Sequence, residues 1–247
     1  MQAVYQDFAA FRSWAQTATL PPGRPFHPRD LGAPAPSPRQ LFAIGLNYRA
    51  HADESGFAAP LFPSVFTKYV TSITGPDTEV TLPEGNVAWE VELVAVLGRR
   101  AYRVAEADAW SHVAGLTVGQ DLSERVLQMV GSAPQFSLAK SYPGFAPMGP
   151  WLVTVDELDN PNDLELGCAI DGEEMQKGRT SELIFPVPAL IARLSEVLPL
   201  LPGDVIFTGT PSGVGLGRTP PRYLKTGEVL TSYVQGIGEL RQTFMPA

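Results

Sequence analysis

Cysteine is almost absent from this sequence of 247 residues, in which Cys168 in the segment LELGCAID is the only one. A single thiol excludes a disulfide within the chain and is typical of a protein from a reducing compartment. Its apolar neighbours favour a buried, structural thiol, and a nucleophilic thiol is the second interpretation. A chain of this length buries most of its surface on folding, so it does not depend on disulfides for stability.

Positive charge is also scarce. The 18 Lys and Arg residues face 26 Asp and Glu residues, which gives a net charge of −8 and argues against nucleic acid or an anionic membrane surface as a partner. No apolar run is long enough to span a bilayer, and the N-terminus MQAVYQDFAAFRSW lacks the basic region and apolar stretch of a signal peptide. The sequence therefore predicts a cytoplasmic protein without nucleic-acid or membrane partners.

The first 39 residues differ from the rest of the chain. Apolar residues between Val4 and Ala15 share one helical face by their spacing, which predicts a short amphipathic helix. Seven prolines between Pro21 and Pro38 then predict an extended connector rather than a regular element. Residues 1–39 are accordingly interpreted as a helix with a proline-rich connector, and residues 40–247 as one catalytic domain.

Short apolar and β-branched runs dominate from Gln40 onward, and they predict strands. These runs are LFAIGL, SVFTKYV, WEVELVAVLG, WLVTV, LELGCAI, DVIFTG and EVLTSYV. Helical spacing is found between Leu190 and Leu198 and again in LSERVLQMV after Asp121. Because strands and helices do not alternate regularly, the pattern favours an α+β fold over a doubly wound sheet.

Three acidic residues are candidate metal ligands. Glu90 and Glu92 are two positions apart in the apolar strand WEVELVAVLG, so both side chains project from one face. Asp121 follows a second apolar run. Solvent-facing alternation would also explain the two glutamates, and a helix N-cap would explain Asp121. In an apolar strand, however, carboxylates need a cation, and an all-oxygen set suits Mg²⁺ or Mn²⁺, with Ca²⁺ as a further candidate.

His51 is the one histidine with suggestive neighbours, because Glu54 follows it three positions later in LNYRAHADESG. If this segment is helical, the two side chains share a face, and the carboxylate can orient the imidazole as a base. A solvated surface pair is the alternative. Lys140 lies in an apolar loop rich in glycine and proline, where a snorkelling surface lysine is the commoner outcome.

Seven ordered segments resemble the fumarylacetoacetate hydrolase family, and the resemblance covers roughly Gln40 to Gln242. The segments are GLNYRAHADE, FTKYVTSITGPD, WEVELVAVLG, GQDLSERVLQ, KSYPGFAPMGPW, QKGRTSELIF and PGDVIFTGTPSGVG. The resemblance implies a mixed β-roll with few short helices, usually assembled as a homodimer. Two departures concern Gln120, where the family commonly has Asn, and Pro143, where it commonly has Asp.

The resemblance also implies roles for individual residues. The metal ligands of the family match Glu90, Glu92 and Asp121, and its catalytic residues match His51, Glu54 and Lys140. The positions near its substrate match Tyr48, Arg49, Lys68, Arg125, Gln128, Gln176, Gly209 and Thr210.

The activity implied by the resemblance is hydrolysis of a C–C bond in a small 2,4-dioxo acid, such as an acylpyruvate or fumarylpyruvate, through a metal-stabilised enolate. The same site would also suit an oxaloacetate-type decarboxylase or an isomerase or hydratase of 2-oxo-diene-dioates, because fold and metal do not choose among these reactions. A metal-binding protein without catalysis is a further alternative from a different class.

Overall fold

The computed structural model describes residues 2–54, 56 and 58–247, and strands dominate it. The strands are β1 Leu41–Gly45, β2 Ser64–Thr67, β3 Ile73–Thr74, β4 Asp77–Thr81, β5 Val87–Ala88, β6 Val91–Leu97, β7 Val113–Gln120, β8 Ser123–Glu124, β9 Ala146–Val153, β10 Glu165–Ile170, β11 Glu173–Arg179, β12 Val205–Phe207, β13 Val229–Val234 and β14 Gly238–Met245. The helices are α1 Phe8–Thr17, α2 Arg49–Glu54, α3 Arg125–Gln128, α4 Phe136–Ala139 and α5 Val187–Val197.

The strands form two large mixed sheets and one small one. The first large sheet has seven strands in the order β2-β1-β12-β6-β7-β9-β3, with parallel pairs at β1–β12 and β3–β9. The second has five strands in the order β11-β10-β13-β14-β4, with a parallel pair at β14–β4. Strands β5 and β8 pair separately. These mixed sheets, with few short helices, confirm the predicted α+β class.

The main core lies where the two large sheets pack face to face. Strands β13 and β14 contact β7, and β10 and β13 contact β6, so apolar residues of one face of each sheet meet in one cluster. From β6 the cluster takes Leu93, Ala95 and Leu97, and from the second sheet it takes Leu230 and other residues. Burial of this kind stabilises a fold by roughly 25 cal/mol for each Å² of apolar surface removed from water.

The other face of β6 is covered by the N-terminal segment. Val94 and Val96 belong to a second buried cluster, to which Tyr5 and Phe8 of this segment contribute. Because side chains alternate along a strand, Glu92 shares this face with the two valines. The segment thus covers one end of the face, and the division of the chain at residue 39 stays a prediction.

Several elements refine the expectations from the sequence. The helix predicted around Leu190–Leu198 is confirmed as α5, whereas the helix expected after Asp121 is only the four-residue α3. The cap of α3 is Glu124, whose carboxylate accepts from the backbone of Val126 and Leu127, so the alternative role of Asp121 as an N-cap is wrong. Strand β6 begins at Val91, which leaves Glu90 just outside it.

Burial of Cys168 agrees with its apolar neighbours. The thiol is 2% exposed in β10, and burial raises its pKa. No helix among the described residues has both the length and the apolar character needed to cross a bilayer.

Gly119 tests the packing around the acidic residues. A Cβ atom at this position would lie 2.4 Å from Val94 Cγ2 and 2.6 Å from Phe207 Cε1. We therefore expect Gly119→Ala to lower the free energy of unfolding by about 1–3 kcal/mol through overpacking, measured by urea denaturation. Gly32→Ala is the control because its Cβ would have no neighbour within 4 Å. Equal unfolding midpoints for the two variants would contradict the packing described here.

Candidate metal centre and catalytic cavity

Three buried carboxylates converge at the ends of β6 and β7. The strands are antiparallel with Val91 opposite Gln120, so the start of one strand lies beside the end of the other. The backbone N–H of Asp121 donates to the carbonyl of Glu90 at 2.9 Å, which holds the two segments together. As a result, Glu90, Glu92 and Asp121 each offer an oxygen atom, and these atoms all lie within 4.8 Å of one another.

Three cationic side chains neutralise two of these acids. Lys140 Nζ donates to Glu90 Oε2 at 2.6 Å and to Asp121 Oδ2 at 2.7 Å. Lys68 Nζ lies 2.6 Å from Asp121 Oδ1, and Arg125 Nη2 lies 2.5 Å from Glu90 Oε1. All five side chains are buried, so these contacts are screened little by solvent.

The charges shift the pKa values of these groups in directions that follow from burial and neighbours. Burial by itself would raise the pKa of Glu90, but Lys140 and Arg125 outweigh it, so the pKa of Glu90 is lowered. Burial would lower the pKa of Lys140, but Asp121 and Glu90 outweigh it and raise that pKa. For Lys68 burial wins over Asp121, and its pKa is lowered.

Glu92 is the acid that lacks a cation. Its Oε2 accepts a hydrogen bond from the backbone N–H of Gly209 at 2.7 Å, and no described Lys, Arg or His residue forms an ion pair with it. Burial raises the pKa of Glu92 well above its ordinary value, and Asp121 and Glu90 raise it further. A buried acid of this kind is costly without a positive partner. The oxygen donors therefore fit a divalent cation.

His51 and Glu54 lie beside this cluster on helix α2, as the spacing predicted. His51 Nδ1 and Glu54 Oε1 are 2.9 Å apart, and the His51 ring is buried. Glu54 also accepts from the backbone N–H of Gly213, at 2.9 Å to Oε2 and 3.2 Å to Oε1. The carboxylate is thus held from the loop after β12 while it orients the imidazole.

Glu90, Glu92 and His51 line a cavity of about 720 Å³, whereas Asp121 is not among its lining residues. Its polar lining consists of His51, Glu90, Glu92, Arg125, Gln128, Lys140 and Thr210, together with Ser64 and the backbone of Gly45. The other lining residues form an apolar wall, defined as Ile44, Leu46, Phe66, Met129, Pro134, Phe136, Val214 and Leu216. The cavity therefore joins an ionic end to an apolar surface.

Other predicted residues support the site from outside the cavity lining. Gln176 donates to Thr210 Oγ1 at 2.8 Å and to the carbonyl of Pro211 at 2.7 Å, and it accepts from Val91 N at 3.0 Å. Its amide is therefore occupied in positioning the loop that contains Thr210. Gly209 supplies the N–H that binds Glu92, and its φ of +103° favours glycine at this position.

Three predicted substrate contacts do not line the cavity. Arg49 is exposed on α2, and Tyr48 is 1% exposed in the core, where its hydroxyl has no hydrogen-bond partner among the described residues. Lys68 contacts Asp121 and the carbonyl of Lys140 and likewise does not line the cavity. The substrate roles of these three residues stay predictions.

Gln120 has a role that its residue type alone did not indicate. Its Oε1 accepts from the backbone N–H of Glu90 at 2.9 Å, and its Nε2 donates to Ser232 Oγ at 2.8 Å. The side chain thus connects the backbone of a metal-ligand candidate to β13 of the second sheet. The available signal was a polar amide directly before Asp121 at the end of an apolar run.

The mixed-sheet fold thus carries a three-carboxylate cluster that could hold a metal ion, with a His–Glu pair beside it. Residues 40–245 match the family model described as "Fumarylacetoacetate (FAA) hydrolase C-terminal". The chain belongs to the fumarylacetoacetate hydrolase family, and it is an enzyme with the β-roll of that family.

Three relatives place the chain within this family. A crystal structure from Mycobacterium smegmatis that bears the name HpcE is 58% identical, with a TM-score of 0.97, and the match covers 100% of this chain and 88% of that one. The mitochondrial oxaloacetate tautomerase FAHD2A of Homo sapiens is 40% identical over 83% of this chain and 66% of its own length. The fumarylpyruvate hydrolase of Pseudomonas aeruginosa, in complex with Mn²⁺ and pyruvate, is 29% identical, with a TM-score of 0.78 and coverage of 94% and 100%.

These relatives bear different activities in their names, and one of them holds Mn²⁺. The carboxylate cluster of this chain could likewise hold a metal ion. The expected homodimer stays a prediction.

Glu92 provides the test of the metal site. We expect Mn²⁺ to raise the Tm of the wild type, since an ion at 100 times its Kd adds about 2.7 kcal/mol to stability. Glu92→Gln should lose most of this increase because one of three ligands is weakened. Differential scanning calorimetry measures the effect, and Glu79→Gln, an exposed acid in β4, should respond like the wild type.

The Tm of Glu92→Gln without added ion, compared with that of the wild type, is a second test of the same assignment. A raised pKa in the folded state means that ionised Glu92 opposes folding at pH values above its unfolded pKa. Glu92→Gln should therefore be at least as stable as the wild type near neutral pH without ion. A large loss of ion-free stability, or an undiminished response to Mn²⁺, contradicts the assignment.

Proposed function

We propose that this enzyme hydrolyses a C–C bond in a small 2,4-dioxo acid of the acylpyruvate type, with a divalent cation held by Glu90, Glu92 and Asp121. The observation that carries the proposal is the position of His51, which is paired with Glu54 and lines the same cavity as Glu90 and Glu92 of the carboxylate cluster. Hydrolysis needs an activated water beside the place where the acid binds. His51 can act as the base for that water, and the carboxylate cluster with its cation can bind the acid. Mg²⁺ and Mn²⁺ suit the oxygen donors.

His51 is the base in this proposal. Glu54 accepts a hydrogen bond from the N–H at His51 Nδ1, so the other ring nitrogen, Nε2, keeps a lone pair that can take a proton from water. The resulting hydroxide attacks the C4 carbonyl. The bond between C3 and C4 then breaks, its electron pair moves to C3 to form the enolate of pyruvate, and the acyl part leaves as a carboxylic acid. His51 returns its proton to the pyruvate carbon.

The ionic end of the cavity would bind the pyruvate part. When bound, the cation supplies Lewis-acid stabilisation of negative charge on the 2-oxo group, typically worth several kcal/mol. Arg125 and Lys140 place two further positive charges at the cavity lining. Their positions support binding of the substrate carboxylate by charge-assisted hydrogen bonds.

The apolar wall supports an acid with an apolar acyl part. A cavity of about 720 Å³ exceeds the needs of a four-carbon acid. Arg125 and Lys140 are the Arg and Lys residues among its described lining, and both lie at the ionic end, beside Glu90. A second carboxylate at the far end of a substrate would thus meet the apolar wall, whereas an alkyl or aryl group would bury surface against it.

Tautomerisation or decarboxylation of oxaloacetate is the second candidate. The relative named oxaloacetate tautomerase, at 40% identity, favours it. These reactions pass through the same type of enolate but need no attacking water, so the His51–Glu54 pair would serve only in proton transfer. Isomerisation of 2-oxo-diene-dioates likewise needs proton transfer but no attacking water.

His51→Ala tests the role of the base. We expect kcat for an acylpyruvate to fall at least 100-fold, since general base catalysis contributes about 10²–10⁴. The Tm increase with Mn²⁺ should stay as in the wild type because His51 is not among the carboxylate ligands. His112→Ala removes a histidine outside the cavity lining and is the matched control. Unchanged turnover in His51→Ala would remove the pair from the mechanism.

A substrate panel separates the two candidate functions. Alkanoyl pyruvates, fumarylpyruvate and oxaloacetate are followed spectrophotometrically with Mg²⁺ or Mn²⁺ and again after chelation. We expect the highest kcat/KM with alkanoyl pyruvates and loss of turnover after chelation. Faster tautomerisation of oxaloacetate, with no hydrolysis, would favour the second candidate instead.

A further inference from the structure

The loop from Pro211 to Arg222 contacts helix α2 through Glu54. The backbone N–H of Gly213 donates to both oxygens of the Glu54 carboxylate. Gly217 lies against the same group, since a Cβ atom there would be 2.9 Å from Glu54 Oε2. The carboxylate that orients His51 is therefore held by this loop, and the placement of the loop determines the placement of the His–Glu pair.

Trp89 binds the same loop through the carbonyl of Gly213. Its indole Nε1 donates to the carbonyl of Gly213 at 3.2 Å, and the side chain is fully buried. The edge of the ring also packs against Gly215, where a Cβ atom would lie 3.3 Å from Trp89 Cη2. Both backbone polar groups of Gly213 are thus used, the N–H for Glu54 and the carbonyl for Trp89.

The backbone conformation and the surroundings of position 213 favour glycine. Its φ is +99°, and a Cβ atom would lie 2.3 Å from the carbonyl oxygen of Met175. Arg218 adds a second contact, because its Nη2 donates to this Met175 carbonyl at 2.8 Å and its guanidinium lies over the Trp89 ring at 5.8 Å from the centroid. The loop is therefore fixed between β11 and Trp89.

We propose that Trp89 is a positioning residue for the His51–Glu54 pair, acting through the Gly213 backbone. Trp89 does not line the cavity, so it acts without touching the substrate. Because it directly precedes Glu90, it ties the loop that holds Glu54 to the segment that bears a metal-ligand candidate. The inference rests on the proposed function, in which the oriented imidazole activates water.

A double-mutant cycle with Trp89→Phe and Glu54→Gln tests this chain of contacts. Trp89→Phe keeps an aromatic ring but removes the N–H. We expect it to lower kcat for an alkanoyl pyruvate about tenfold with KM within about twofold, since small misplacement of a catalytic group costs up to about 100-fold. In the Glu54→Gln background the same change should have no further effect, because residues that act through one another are not additive.

Trp151→Phe is the matched control, since Trp151 is half exposed on β9 and lies outside the cavity lining. It should leave kcat unchanged. Tm and the response to Mn²⁺ are measured for every variant. Arg218→Met is the second variant, for use if Trp89→Phe does not fold, because Arg218 is only half buried and also grips the loop. It too should lower kcat in the wild-type background and have no effect with Glu54→Gln.

The outcomes separate the inference from the proposed function. Additive losses of kcat in the double mutants, or a loss confined to KM, would overturn the positioning role while leaving hydrolysis intact. A wild-type kcat in Glu54→Gln would instead overturn the role of the His–Glu pair in the proposed function. A tenfold loss that disappears in the Glu54→Gln background supports both.

Discussion

Confinement of three carboxylates in one buried volume is the constraint on which this structure depends. Like charges at such separations repel strongly where water is excluded, so the fold must supply compensating charge. The β6–β7 register creates the problem, because it brings Asp121 beside Glu90. Lys140, Lys68 and Arg125 compensate the charges of Glu90 and Asp121. Glu92 pairs with none of them and lines the cavity, where a cation could reach it.

Charge balance links this constraint to the proposed chemistry. The formal charges of the three acids and the three cations sum to zero although Glu92 pairs with none of these cations, and the whole chain has a net charge of −8. A divalent ion adds two positive charges, and a 2,4-dioxo acid reaches two negative charges as its enolate. Ion and substrate together thus leave the buried site neutral, which favours an acid whose charge develops at the ionic end over one with a further carboxylate at the apolar wall.

Local patterns in the sequence predicted the parts of the site that depend on local geometry. The two-residue spacing of Glu90 and Glu92 predicted a shared face, and the three-residue spacing of His51 and Glu54 predicted their contact on a helix. The strand-rich α+β class also followed from short apolar runs. Asp121 was ambiguous by itself because a helix cap and a metal ligand look alike in sequence.

The remaining parts depend on contacts between residues far apart in the chain, which spacing cannot reveal. Gln176 and Gln120 are committed to backbone groups brought near by sheet pairing. Lys68 and Asp121 are 53 positions apart in the sequence, and only the fold brings them into contact. Arg49 shows the limit of transfer by motif, since it sits within a matching segment yet its side chain is exposed.

The lone thiol has a practical meaning for this enzyme. Cys168 is enclosed between the sheets, and its Sγ contacts the amide of Gln176. Alkylating reagents need a thiolate and a path to it, and the folded molecule offers neither. The rate of labelling at Cys168 would therefore report how often the structure around this thiol opens, without any cysteine having to be introduced.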